Sequence, residues 1–132
     1  MNGYCVSIVN FESMNIENVQ INADSSKGDA YGIWNYEGGK LAITNTDIFA
    51  DATGTSEDDD SYSIGINNYG ELKFYSGSVY GLHSGLQNSA GAKLYIYGGT
   101  FDGYGHGGIY FSQGENGEAY VENATLKSGE YN

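Results

Sequence analysis

Leu41-Ala42-Ile43-Thr44-Asn45-Thr46-Asp47-Ile48-Phe49-Ala50 decides the fold, because its layout occurs five times along the chain. An apolar pair spaced by two, Leu41 and Ile43, is followed five residues later by Ile48 and then by a small residue, Ala50. The layout recurs as Met14-x-Ile16…Ile21-x-Ala23, Leu72-x-Phe74…Val79-x-Gly81, Leu94-x-Ile96…Phe101-x-Gly103 and Ala119-x-Val121…Leu126-x-Ser128. Upstream of each copy lies a third element: Ser7-Ile8-Val9-Asn10, Gly32-Ile33-Trp34-Asn35, Gly65-Ile66-Asn67-Asn68, Gly85-Leu86-Gln87-Asn88 and Gly108-Ile109-Tyr110-Phe111. A unit of this length that cannot bury its own apolar face must stack on its neighbours, so the repeat predicts a solenoid.

Each repeat reads as three short strands. Strand a carries the Gly-Ile-x-Asn element, strand b the Leu-x-Ile element and strand c the Ile-x-Ala/Gly element. Alternation with period 2 sends the quoted apolar residues to one face and their neighbours to solvent. The first strand-b position falls at 14, 41, 72, 94 and 119, while the b-to-c offset stays at seven. Length variation therefore collects between strand c and the next strand a, where a loop can be extruded at little entropic cost. The b–c corner holds Asn18, Asn45, Ser76, Gly98 and Asn123, residue types that suit a tight bend. Asn10, Asn35, Asn68 and Asn88 share one register position, which predicts a ladder of side-chain amides that Phe111 ends.

This pattern resembles the right-handed parallel β-helix family, the pectin-lyase-like solenoids that include polysaccharide lyases, polygalacturonases, phage tailspikes and bacterial surface adhesins. The resemblance covers essentially the whole chain. It implies an all-β, right-handed parallel β-helix of about five coils with three short strands per coil, forming a single segment over residues 1–132. With strands about 4.8 Å apart the stack is only about 24 Å long. Both tips then present open strand edges, which suggests that the segment belongs to a longer repeat protein or self-associates end to end.

Composition narrows the function. Seventeen acids against five lysines give a formal charge of −12. That excludes a basic nucleic-acid face and an attraction to anionic membrane surfaces, and it suits cations. A single cysteine, Cys5, forbids an intramolecular disulfide. No apolar run reaches membrane-spanning length, so no membrane insertion is expected.

Three groups of residues could carry chemistry. Asn45-Thr46-Asp47, Asp58-Asp59-Asp60 and Gly105-His106-Gly107 look, as strings, like polygalacturonase motifs, but their coil positions do not converge and the chain has no arginine. A lyase base is equally unsupported, since Lys27, Lys40, Lys73, Lys93 and Lys127 are scattered singly. The acids Asp24, Asp29, Asp51, Glu57, Asp58, Asp59 and Asp60 fall in the c–a connections of the first two coils, and clustered carboxylates favour calcium. His83 and His106 each stand two residues before a strand-a glycine, so they should stack. The outward strand-b positions of the last three coils carry Tyr75, Tyr95, Tyr97 and Tyr120, rings that could lie against a sugar or anchor a protein.

The expectation is a non-catalytic, extracellular or cell-surface segment, a stalk or adhesin that binds a glycan or a host surface protein through those tyrosines. The alternatives are a fragment of a polysaccharide lyase or glycoside hydrolase, and a component of a phage tailspike or fibre.

Overall fold

The computed structural model describes residues 3–26, 28–52, 62–112, 114 and 117–128. Coil one is β1 (Gly3–Asn10), β2 (Ser13–Glu17) and β3 (Gln20–Asp24), and coil two is β4 (Gly28–Asn35), β5 (Lys40–Thr44) and β6 (Thr46–Asp51). Coil three is β7 (Ser63–Asn68), β8 (Glu71–Phe74) and β9 (Gly77–Gly81), and coil four is β10 (Ser84–Asn88), β11 (Lys93–Ile96) and β12 (Gly99–Gly103). Coil five is β13 (Ile109–Phe111), β14 (Glu118–Val121) and β15 (Ala124–Lys127). Every strand pairs in parallel with its counterparts one coil away. The result is three five-stranded sheets, which we call a (β1-β4-β7-β10-β13), b (β2-β5-β8-β11-β14) and c (β3-β6-β9-β12-β15). The chain is a right-handed parallel β-helix.

The register is the one the repeat predicts. Ile8, Ile33, Ile66, Leu86 and Ile109 pair successively along the a sheet. Leu41, Leu72 and Leu94 do so along the b sheet, and Ile48, Val79 and Phe101 along the c sheet. These columns form one core, and within it Phe74 and Phe101 meet edge to face at 4.9 Å. Each fully buried Leu, Ile or Phe there contributes about 1.5–3 kcal/mol. A smaller cluster of Ala23, Ala30, Ala50 and Ala52 fills the c–a corner, with Cys5 packed against it. The glycine that precedes the strand-a core residue in coils two to five answers to crowding: a Cβ at Gly32 would lie 2.5 Å from the Gly65 carbonyl oxygen and 2.5 Å from Ile48 Cγ2.

The asparagine ladder is continuous. Asn10 Nδ2 donates to Asn35 Oδ1 (2.8 Å), Asn35 Nδ2 to Asn68 Oδ1 (2.9 Å) and Asn68 Nδ2 to Asn88 Oδ1 (2.8 Å). Phe111 pairs with Asn88 and ends it. The same amides tie down the a–b corner, since Asn35 Nδ2 also donates to Glu71 O and Asn68 Nδ2 to Lys93 O.

Two details differ from expectation. Asn18, Asn45 and Asn123 do adopt left-handed backbone at the b–c corner, with φ of 57°, 46° and 51°. In coils three and four the left-handed residue is not Ser76 or Gly98 but the one after it, Gly77 (φ 123°) and Gly99 (φ 106°). A side chain at Gly77 would collide with the Thr46 backbone of the coil beneath, so only glycine fits there. In coil five, moreover, the core positions Ala119, Val121 and Leu126 are exposed, because among the described residues nothing stacks beyond them.

Candidate functional site

Tyr95 and Tyr120 stand on the b sheet and Tyr75 and Tyr97 directly follow its strands β8 and β11, so the four predicted tyrosines are neighbours but not one cluster. Tyr75 and Tyr97 stack at 5.2 Å and 14°, and Tyr120 leans on Tyr97 at 6.0 Å and 46°. Tyr95 takes a different role. It sits in register between Lys73 and Tyr120, and its hydroxyl donates to Glu118 Oε2 at 2.8 Å. That hydrogen bond, the largest cause, raises the Tyr95 phenol above its ordinary pKa, and a bond from Tyr120 to Glu122 Oε2 does the same for Tyr120. Tyr75 and Tyr120 remain more than two-fifths exposed, so coils three to five carry a short ridge of accessible rings.

The acidic residues divide between two places. Asp24 and Asp51 are register partners at the end of the c sheet, and burial followed by the Asp24 charge raises the Asp51 pKa. Asp29 belongs elsewhere: Tyr31 donates its hydroxyl to Oδ2 (3.1 Å) and the Tyr62 backbone N–H donates to Oδ1 (2.8 Å). Glu57, Asp58, Asp59 and Asp60 lie outside the described residues. Among the described residues no three His, Cys, Asp or Glu side chains converge as metal ligands. Calcium takes six to eight oxygens, far more than Asp24 and Asp51 supply between them.

The string motifs also separate. Asn45 turns the b–c corner, donating through Nδ2 to Asn18 Oδ1, while Asp47 accepts from the Ser78 hydroxyl (2.7 Å) and backbone N–H (3.1 Å) on the c sheet. His106 lies beside the a sheet. There it meets His83 of the coil beneath, as its sequence position predicts, edge to face at a ring distance of 4.1 Å and 64°. Tyr62 closes on His83 at 4.4 Å and Tyr110 on His106 at 4.7 Å, making a continuous aromatic train. Burial first, and then His106, push the His83 pKa down to about 4, so its imidazole is neutral at physiological pH.

The sequence reading missed the outer face of the a sheet. Its outward row is Val9, Trp34, Asn67, Gln87 and Tyr110, each in register with the next. Trp34 is flanked by Tyr31 (4.7 Å, edge to face), Tyr36 (5.7 Å, stacked) and Tyr69 (5.6 Å, 9°), and Phe11 stacks on Tyr36. Tyr31, Trp34 and Tyr69, together with the histidine train, line an open concavity of about 300 Å³. The signal was present in the x of Gly-Ile-x-Asn and in the residue after the first three ladder asparagines: Phe11, Tyr36 and Tyr69. Burial and the Asp29 carboxylate, in that order, push the Tyr31 phenol well above its ordinary value, so it too is neutral.

Compared with known proteins, the chain matches no family profile, no curated sequence and no solved structure.

Proposed function

We propose that this β-helix is a non-catalytic recognition segment of an extracellular or cell-surface protein, related to the pectin-lyase-like solenoids and serving as a stalk or adhesive surface for a glycan. The observation that carries this reading is the Tyr75–Tyr97–Tyr120 ridge. Tyr120 stands on β14, Tyr75 and Tyr97 follow directly on β8 and β11, and Tyr75 and Tyr120 are partly open to solvent. Such rings supply large contact area at low entropic cost, and a glycan offers the matching apolar faces of its sugars. The enzymatic alternatives gain less support, because Asp47 is held by Ser78 on one face and His106 lies among aromatic rings on another.

The test is binding of the folded chain to a glycan array, repeated with Tyr75→Ala/Tyr97→Ala. Each ring contact is worth about 1–3 kcal/mol by analogy with base stacking, so the double variant should lose binding by at least tenfold. Its melting temperature should stay within a few degrees of the parent. Undiminished binding by the double variant sinks the reading. Retention of a host surface protein in place of any glycan would move the ligand to the other class that tyrosine ridges serve.

A further inference from the structure

In a single-layer coil the outward positions of a strand face water, yet every residue of β7 is buried, on both faces. Asn67 is the telling case. It points outward in register with Trp34 and Gln87, and it is only 3 % exposed. What covers it is not another layer of backbone but rings reaching over from either side, among them Tyr31, Tyr62, Tyr69 and His83. These rings do not fill the space, since the concavity of about 300 Å³ remains, at the lower end of volumes that hold small ligands.

The floor of the concavity carries two unmet demands. Trp34 Nε1–H is a buried donor with no acceptor, and Asn67 Oδ1 is a buried acceptor with no donor. Orphaned buried polar groups are uncommon, and each costs about 1–3 kcal/mol. Here the donor and the acceptor belong to side chains on paired positions of adjacent coils, whose strands run about 4.8 Å apart. Two neighbouring hydroxyl groups on one ring can meet both, one accepting from Trp34 and the other donating to Asn67. The aromatic surroundings suit the C–H faces of such a ring.

Charge decides between kinds of sugar. The chain carries −12, and the Asp29 carboxylate accepts from the Tyr31 hydroxyl and the Tyr62 backbone N–H at the edge of the site. Both repel an anionic ligand, and the lining offers no described lysine to offset them. We propose that the concavity on the outer face of the a sheet is a binding site for one uncharged sugar ring, held by Trp34 and Asn67 and framed by Tyr31, Tyr62, Tyr69 and His83. Both orphaned atoms lie beneath the rim, so entry turns Tyr62 or Tyr69 outward; both rings are exposed, at 41 % and 39 %. The site is separate from the tyrosine ridge and does not depend on it.

Trp34 is the only tryptophan, so the intrinsic tryptophan fluorescence of the whole chain reports on this site alone. The probes are neutral mono- and disaccharides of glucose, galactose, mannose and N-acetylglucosamine, with glucuronate as the charged comparison. At least one neutral sugar should change Trp34 emission saturably at millimolar concentration, with glucuronate at least tenfold weaker. Asn67→Leu should weaken that binding at least tenfold without lowering the melting temperature, because it removes an unsatisfied acceptor. Tyr62→Ala, at an exposed rim position, should weaken it independently, and Tyr97→Ala on the b sheet should leave it unchanged. A folded chain that shows no saturable response to any neutral sugar overturns the proposal. So does equal binding of glucuronate, or binding that survives both Asn67→Leu and Tyr62→Ala.

Discussion

Replacing Asn68 with leucine isolates the contribution of the amide ladder, because the two side chains have similar volume and the site is fully buried. Asn68 makes four hydrogen bonds. It donates to Asn88 Oδ1 at 2.8 Å and Lys93 O at 3.0 Å, and it accepts from Asn35 Nδ2 at 2.9 Å and the Gly70 N–H at 3.2 Å. Leucine removes all four and leaves their partners facing an apolar side chain. Each buried group left unsatisfied costs about 1–3 kcal/mol. Asn35 Nδ2 keeps Glu71 O and Gly39 O, so its loss is partial. A net penalty of about 4–6 kcal/mol follows, a large share of the roughly 5–15 kcal/mol that holds a domain together. Urea unfolding followed by circular dichroism should therefore show either a midpoint shift of that size or a chain already unfolded in buffer. Asn10→Leu, at the end of the ladder, should cost less, and the Asn10→Leu/Asn35→Leu pair should be non-additive because the two amides share a bond. A loss below about 1 kcal/mol for Asn68→Leu, or strict additivity in the pair, would refute the idea that the ladder acts as a unit.

Three further outcomes are expected. Acidification should destabilise the fold through His83: its folded pKa of about 4 lies below the ordinary 6.5, so the unfolded chain takes up the proton first. That stability is complete above pH 6.5 and is lost as pH falls from 6.5 towards 4. The full displacement is worth about 3 kcal/mol, which screening at a half-buried ring reduces to about 1–2 kcal/mol. Melting curves of His83→Gln should lack this component, and an identical pH profile in the variant would dismiss it. Asp51→Asn should raise stability at neutral pH by a few tenths to about 1 kcal/mol, since it relieves like charges paired across the c sheet; a lower melting temperature would contradict that. Ile96→Asp should unfold the chain, whereas Tyr95→Ser on the opposite face of the same strand should be tolerated, and the reverse result would invert the inside–outside assignment.

The coil count, the three strands per coil, the core columns and the amide ladder could all be read from the sequence. Each depends on short-range alternation and on one fixed spacing: the side chain at Ile43 points inward whatever the loops do. In coil three the left-handed residue is the glycine after Ser76, and in coil four Gly98 and Gly99 are equally permissive, so that only contact with the neighbouring coil distinguishes them. The a-sheet concavity was invisible for a different reason. Tyr62 comes from the connection that leads into β7, while His83 and His106 come from those between β9 and β10 and between β12 and β13. Which way such rings fold is decided by packing across coils, not by any period in the chain. Likewise, alternation places Tyr95 and Tyr97 on one face but cannot tell that Glu118 engages the first and Tyr75 the second.

The gradient of burial along the axis has a kinetic meaning. Coils two to four are sealed above and below, whereas β14 and β15 of coil five are exposed along most of their length. In a stack where each layer leans only on its neighbours, opening starts where a layer has one neighbour and little buried area. Of the two such layers, coil one keeps Ile16 and Ile21 buried, while coil five leaves Val121 and Leu126 in water. The chain should therefore erode from its coil-five end, and its two aromatic surfaces would age differently on warming. The ridge loses Tyr120 with the first layer to peel away and keeps the Tyr75–Tyr97 stack of coils three and four. Trp34 and Asn67 lie in coils two and three, so the pocket floor keeps its shape until the stack as a whole gives way.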